Sequence, residues 1–202
     1  VQVRRWGFPH SPAHPLFTPS RMHIDVQYTF FAGLPYFVKN GRMEMIQDFE
    51  LNYLRDDEWV FSGYSFTDRV WMDRDGALHE GEVAKGQGDD LRGVGFFHKQ
   101  SRDAFIALFL DHSAENFDAL YHAGAPRLNY QGHGQLWSRW AARDNPHFKA
   151  GAVLKQRNAY LVEPYDGTAR VEEWRQRLSQ PVTVRPGELS GGAEASDRRL
   201  AR

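Results

Sequence analysis

With 202 residues, 41% of them apolar, the chain can bury one sizeable core or form part of a larger domain. Its 25 basic and 26 acidic side chains leave a formal net charge of −1 and a pI near 6.8. That balance gives no overall electrostatic attraction for nucleic acid or an anionic membrane, and no basic run is longer than a pair such as Arg198-Arg199. There is no cysteine, which excludes disulfides, thiolate metal sites and cysteine nucleophiles. No stretch approaches the ~18 apolar residues of a membrane-spanning helix. The sequence starts at Val1 with neither an initiator Met nor a signal peptide, which favours a processed product or a fragment of a longer one.

Residues 1–22 carry Pro9, Pro12, Pro15 and Pro19, a density that argues against helix and central strand and predicts an extended arm. From His23 the chain alternates: Ile24, Val26, Tyr28 and Phe30 fall on one face, and His23, Asp25, Gln27 and Thr29 on the other. This is the period of a half-buried strand. A second strand is expected over Tyr36–Leu51, joined to the first by a turn at Gly33, with a bulge or kink near the Asn40-Gly41 pair. Asp56-Asp57-Glu58 reads as a solvated turn, Trp59–Met72 as an aromatic strand region, and Asp73–Arg92 as a Gly-rich loop or short hairpins. Gly93–Gln100 and Ala104–Asp111 form the clearest hairpin. Ser113–His122 has the chemistry of a helix start, with Ser113 as N-cap and Glu115 in the first turn. Strands follow at Gln135–Ala142 and Ala152–Val162. A short helix is predicted over Thr168–Leu178, where Val171, Trp174 and Leu178 share one face. The tail from Pro186 is nearly devoid of apolar residues and is expected to be disordered.

The order is mostly strands with two short helices, so the expected fold is mainly β, an antiparallel sheet-on-sheet sandwich spanning residues 23–185. The pair of strands in TFFAGLPYFVKNGRMEM, and the later FKAGAVLKQRNAYLVEPY, resemble segments of galactose-mutarotase-like super-sandwich domains. Such domains occur in several polysaccharide lyases and in the C-terminal parts of some glycoside hydrolases. The resemblance covers about residues 23–165. It implies a carbohydrate-related role and a sandwich larger than this chain, whose first strands would come from a preceding segment or a second chain.

Several residues are candidates for chemistry. His23 and Asp25 project from one face of a strand; with a third ligand they would hold a divalent metal ion, and without one they are a hydrogen-bonded pair on a wet surface. His98 ends an apolar strand, where desolvation would tune it as a general base. His79, with Glu80 and Glu82 on the Gly-rich loop, suits either an acid/base lid or a plain polar turn. In RLNYQGHGQLW, Tyr130 and His133 are a proton donor and a base, while Arg127 and Trp137 suit a carboxylate and a sugar face. Those are the tools for β-elimination from a uronic acid. The leading expectation is an enzyme domain acting on a carbohydrate or similar polyhydroxylated or acidic small molecule, by lyase or isomerase-type proton abstraction. His23, His98, Tyr130 and His133 would be catalytic, and Asp25, Gln27, Arg127 and Trp137 would bind substrate. The alternatives are a metal-dependent enzyme using His23 and Asp25, and a non-catalytic glycan-binding or sheet-completing subunit. Neither nucleic acid nor membrane is an expected partner.

Overall fold

The structure is a computed structural model and describes residues 1–9, 19–51, 54–61, 65–82, 91–117, 127–131, 135–139 and 147–180. In chain order the strands are β1 (Gln2–Gly7), β2 (Met22–Phe30), β3 (Tyr36–Met45), β4 (Phe49–Glu50), β5 (Arg55–Val60), β6 (Asp68–Met72) and β7 (Leu78–Glu80). They continue with β8 (Gly93–Phe97), β9 (Ala104–Glu115), β10 (Arg127–Gln131), β11 (Gln135–Arg139), β12 (His147–Phe148) and β13 (Val153–Leu161), and helix α1 (Thr168–Ser179) follows. The fold is mainly β. An eight-stranded sheet in the order β1-β2-β3-β13-β9-β8-β6-β7 dominates it, with every neighbouring pair antiparallel. A three-stranded sheet (β10-β11-β5) and a two-stranded one (β12-β4) hold the other strands among the described residues.

Side chains alternate across a strand, so the cross-strand register assigns each residue to one of two faces of the large sheet. On the first face, Val38, Val70, Met72, Ile106, Leu108, Ala159 and Leu161 pack with Val171, Trp174 and Leu178 of α1 in one cluster. Each fully buried side chain of this size stabilises the fold by about 1.5–3 kcal/mol relative to exposure. The helix anticipated at 168–178 therefore forms, and its apolar stripe docks as its spacing predicts. Trp174 Nε1 also donates to Glu163 at 2.6 Å, and the Arg170 guanidinium lies 4.6 Å from the indole ring. On the opposite face, Phe96, Val94, Ala107, Phe109 and Tyr160 pack with Trp59 of β5, and Met43, Met45 and Leu154 pack with Phe49 and Phe148 of the two-stranded sheet.

The β2–β3 hairpin turns at Gly33, whose φ of 73° is a left-handed conformation that glycine adopts without steric cost. The hairpin of β8 and β9 also forms as expected. Residues Gln2–Gly7, within the extended arm expected over residues 1–22, lie on the sheet as its edge strand, paired with β2 from Gln2↔Thr29 to Gly7↔Ile24. Prolines begin only at Pro9, so nothing in residues 2–7 removes a ladder hydrogen bond.

Other expectations need correction. Gly41 marks no bulge: β3 keeps unbroken register with both β2 and β13 across it. The strand region 59–72 divides between two sheets, with Trp59 in β5 and Arg69 in β6. Asp57 is in β5 rather than in a solvated turn. The Ser113 helix start is overturned as well. β9 continues as strand to Glu115, paired with Val153, and α1 is the one helix among the described residues. A register shift lies opposite Arg157 and Asn158, where Leu110 is the extra residue of β9. That shift changes the phase of alternation, so Phe109 and His112 both face the covered side. The 186–202 tail and the rest of the Ser113–His122 segment from residue 118 lie outside the described residues.

Candidate functional site

On the first face α1 packs over one end of the sheet, against Tyr36 and Val38 of β3, Ala159 and Leu161 of β13, and residues of β6, β8 and β9. Towards β1 the same face is polar and open, and it holds a groove of about 410 Å³. Arg4, Asp25, Gln27, Arg42, Lys155 and Arg157 line it, each from a position that register places on this face. Asn40, Asp111 and Gln156 also line it, Asn40 opposite both Gln27 and Arg157, and Asp111 opposite Arg157.

Most of the charges are paired within the face. Arg4 grips Asp25 with two nitrogens, Nε donating to Oδ1 at 2.9 Å. That hydrogen-bonded guanidinium holds the Asp25 carboxyl below its ordinary range. Arg42 donates to Glu44 at 2.6 Å, and Lys155 pairs with Glu115, whose carboxyl it likewise holds down. Arg157 is half-buried and sits between Asn40 and Asp111 on the flanking strands. The result is a shallow surface of alternating planar donors and acceptors, nearly neutral overall, with a central guanidinium.

A second polar constellation lies on the covered face, between the large sheet and β5. Lys39, His112, Gln156 and Asn158 are all buried there. Asn158 Nδ2 donates to Gln156 Oε1 at 2.8 Å and to Asp57 Oδ2 at 3.3 Å, so its Oδ1 is the acceptor facing His112 Nε2 at 2.8 Å. This fixes the donor tautomer of the His112 ring at Nε2. Asp57 also accepts from the Tyr160 hydroxyl and from the Lys39 ammonium. Burial pushes the His112 imidazole down to about 4, against the favourable bond to Asn158, so the ring is neutral at pH 7. Aromatic side chains enclose the network: Trp59 meets Tyr160 edge-on at 5.7 Å, and Phe37 stacks on it at 4.8 Å.

The residues anticipated from sequence divide among these places. Asp25 and Gln27 line the groove. His23 occupies the same face of β2, opposite Glu44, and its ring packs against Trp6 and Phe8. Asp25 is engaged by Arg4, and no group of three His, Asp or Glu poised to hold a metal ion occurs among the described residues. His98 is at the far end of β8, where its Nδ1 accepts from the backbone N–H groups of Gln100 and Ser101 and shapes the turn into β9. His79 bonds Asp73 rather than its neighbouring glutamates, at 2.7 Å, and stacks on Trp71. Arg127 and Tyr130 belong to β10 and Trp137 to β11, in the three-stranded sheet and not in the groove-bearing one. His133 lies outside the described residues.

Sequence reading missed Arg4, Arg42, Lys155 and Arg157 in the groove, and Lys39, Asp57, His112, Gln156 and Asn158 beneath it. One signal was available: Gln156, Asn158 and Tyr160 share the parity of buried Leu154, which puts polar side chains on a core face. The chain matches no known protein-family model and no curated protein, so its function has to be argued from geometry.

Proposed function

We propose that the chain binds a carbohydrate, or a similar polyhydroxylated ligand carrying an acidic group, in the groove between β1 and β9. The carrying observation is the groove itself: an open polar concavity of about 410 Å³ whose lining alternates Arg–carboxylate pairs with the amides of Gln27 and Asn40. Vicinal hydroxyls are satisfied by such planar, preorganised donors and acceptors, and a carboxylate suits a guanidinium such as Arg157. Calorimetric titration with neutral and uronic acid saccharides tests this. Binding of the acidic sugars, weakened about tenfold or more in Arg157→Ala, is the expected result. Failure of every saccharide to bind at millimolar concentration overturns it.

A second reading adds catalysis of the lyase or isomerase type. It is favoured by the placement of His23, an imidazole on the groove face two residues from Asp25. In that reading His23 takes the proton α to a uronate carboxylate; for elimination, the C–H electron pair becomes an α,β double bond as the C–O bond at the β carbon breaks, and the leaving oxygen takes a proton from solvent water. Release of an unsaturated uronate, followed by its ultraviolet absorbance and abolished in His23→Ala, is the expected outcome. Unchanged turnover in that variant excludes His23 as the base. A preceding segment or second chain that completes the sheet would add at β1, since the opposite edge strand, β7, has only three residues.

A further inference from the structure

Trp6 stands at the rim of the groove with its ring largely in solvent. It lies directly opposite Asp25, a groove residue, and is 69% exposed. A lone exposed indole is ordinary, but contiguous exposed apolar surface rimmed by polar residues marks a ligand-binding or interaction site. Trp6 is not isolated. The His23 ring packs 6.2 Å from it and Phe8 packs 5.1 Å from His23, both tilted, so the three rings form a ledge beside the groove, with Trp6 and His23 on the groove-bearing face. Phe8 is also half-exposed at 51%.

We propose that this ledge is a sugar-ring subsite with Trp6 as its platform, so that the ligand is an oligosaccharide that crosses from groove to rim. A pyranose presents an apolar face of axial C–H bonds, and the negative π face of an indole attracts it while the ring hydroxyls stay in water. Asp25, opposite Trp6 and held by Arg4, marks where the groove passes into the ledge, so one sugar in the groove leaves its neighbour over Trp6. The ledge rests on the reading of the groove as a saccharide site.

The test is calorimetric titration of the whole chain with the mono-, di- and tetrasaccharides of a hexuronic acid. Wild type is expected to bind the tetrasaccharide about tenfold more tightly than the monosaccharide. Trp6→Ala is expected to shrink that ratio to about threefold or less, and Trp6→Tyr to restore most of it. Arg157→Ala is expected to weaken all lengths alike. A ratio that survives in Trp6→Ala, or a Tyr variant as weak as Ala, overturns the ledge and leaves the groove standing. Length dependence lost in Trp6→Ala with no effect of Arg157→Ala would instead overturn the groove reading. Absence of binding by every saccharide overturns both.

Discussion

Gln156 occupies the space that a side chain at position 41 would need. A Cβ built on Gly41 would stand 2.8 Å from Gln156 Nε2 and 2.9 Å from its Cγ. Gln156 is buried, and its Oε1 is committed to Asn158, so it has little freedom to retreat. Gly41 is thus required by close packing across β3 and β13, with no turn or bulge involved.

Gly41→Ala is therefore expected to destabilise the fold by about 1–3 kcal/mol, the usual cost of overpacking a filled core. Urea unfolding would show it as a lower midpoint at unchanged slope. Adding Gln156→Ala should recover part of the loss, giving a non-additive pair. Additive losses would show that the two residues do not compete for one space.

A harsher outcome is expected at Gly95 of β8. A Cβ there would lie 2.4 Å from the Phe105 carbonyl oxygen and 2.7 Å from Ile106 Cα, both backbone atoms of the neighbouring strand. Backbone cannot rotate aside, so the strands would have to separate. Gly95→Ala should cost more than Gly41→Ala, by about 1 kcal/mol or more, or prevent soluble expression. Equal melting temperatures for the two variants would refute this ranking.

His112 makes stability depend on pH in a definite direction. Its folded value is lowered from 6.5 to about 4, so between those values the unfolded chain takes a proton that the folded chain refuses. Its stabilising effect is fully present above about pH 6.5 and is lost as pH falls towards 4. The loss amounts to about 3 kcal/mol at most, on the order of 1.4 kcal/mol per pH unit. Urea midpoints measured from pH 7.5 down to about 4.5 should fall steadily, and His112→Gln should flatten that slope. A slope unchanged in the variant would assign the acid sensitivity to other groups.

Much of the fold could be read from the sequence where one periodicity held without interruption. β2 alternates His23, Asp25 and Gln27 against Ile24, Val26 and Tyr28, and the structure keeps that division. Val171, Trp174 and Leu178 likewise became the buried stripe of α1. The reading failed where tertiary pairing overrode local chemistry. Ser113 and Glu115 suit a helix start, but β13 offers ladder partners for both strands of the pair through Glu115, and the extra residue Leu110 hides the alternation. Half of the groove was visible, through Asp25 and Gln27. Arg4 lies in the Pro-rich N-terminal arm, and Arg157 sits two strands away from Asp25 in the sheet and far from it along the chain, so nothing local joins them. The buried network draws on β3, β5, β9 and β13, and only the assembled sheet brings those strands together.

The Lys39–Asp57 pair gives the sharpest test of that network. Both side chains are nearly sealed, at 5% and 11% exposure, and the Asp57 carboxylate also receives the Tyr160 hydroxyl. Removing one member of a buried pair leaves the other charged without its compensation, which typically costs ~3–5 kcal/mol. Asp57→Asn keeps the shape but loses the charge, and Lys39→Met keeps the stem but loses the ammonium; each alone is expected to lower stability by that order. The double variant should lose clearly less than the sum, because no uncompensated charge then remains between the sheet and β5. The readout is a double-mutant cycle of urea midpoints at pH 7. Equal and additive losses would mean that the two charges do not interact across this interface.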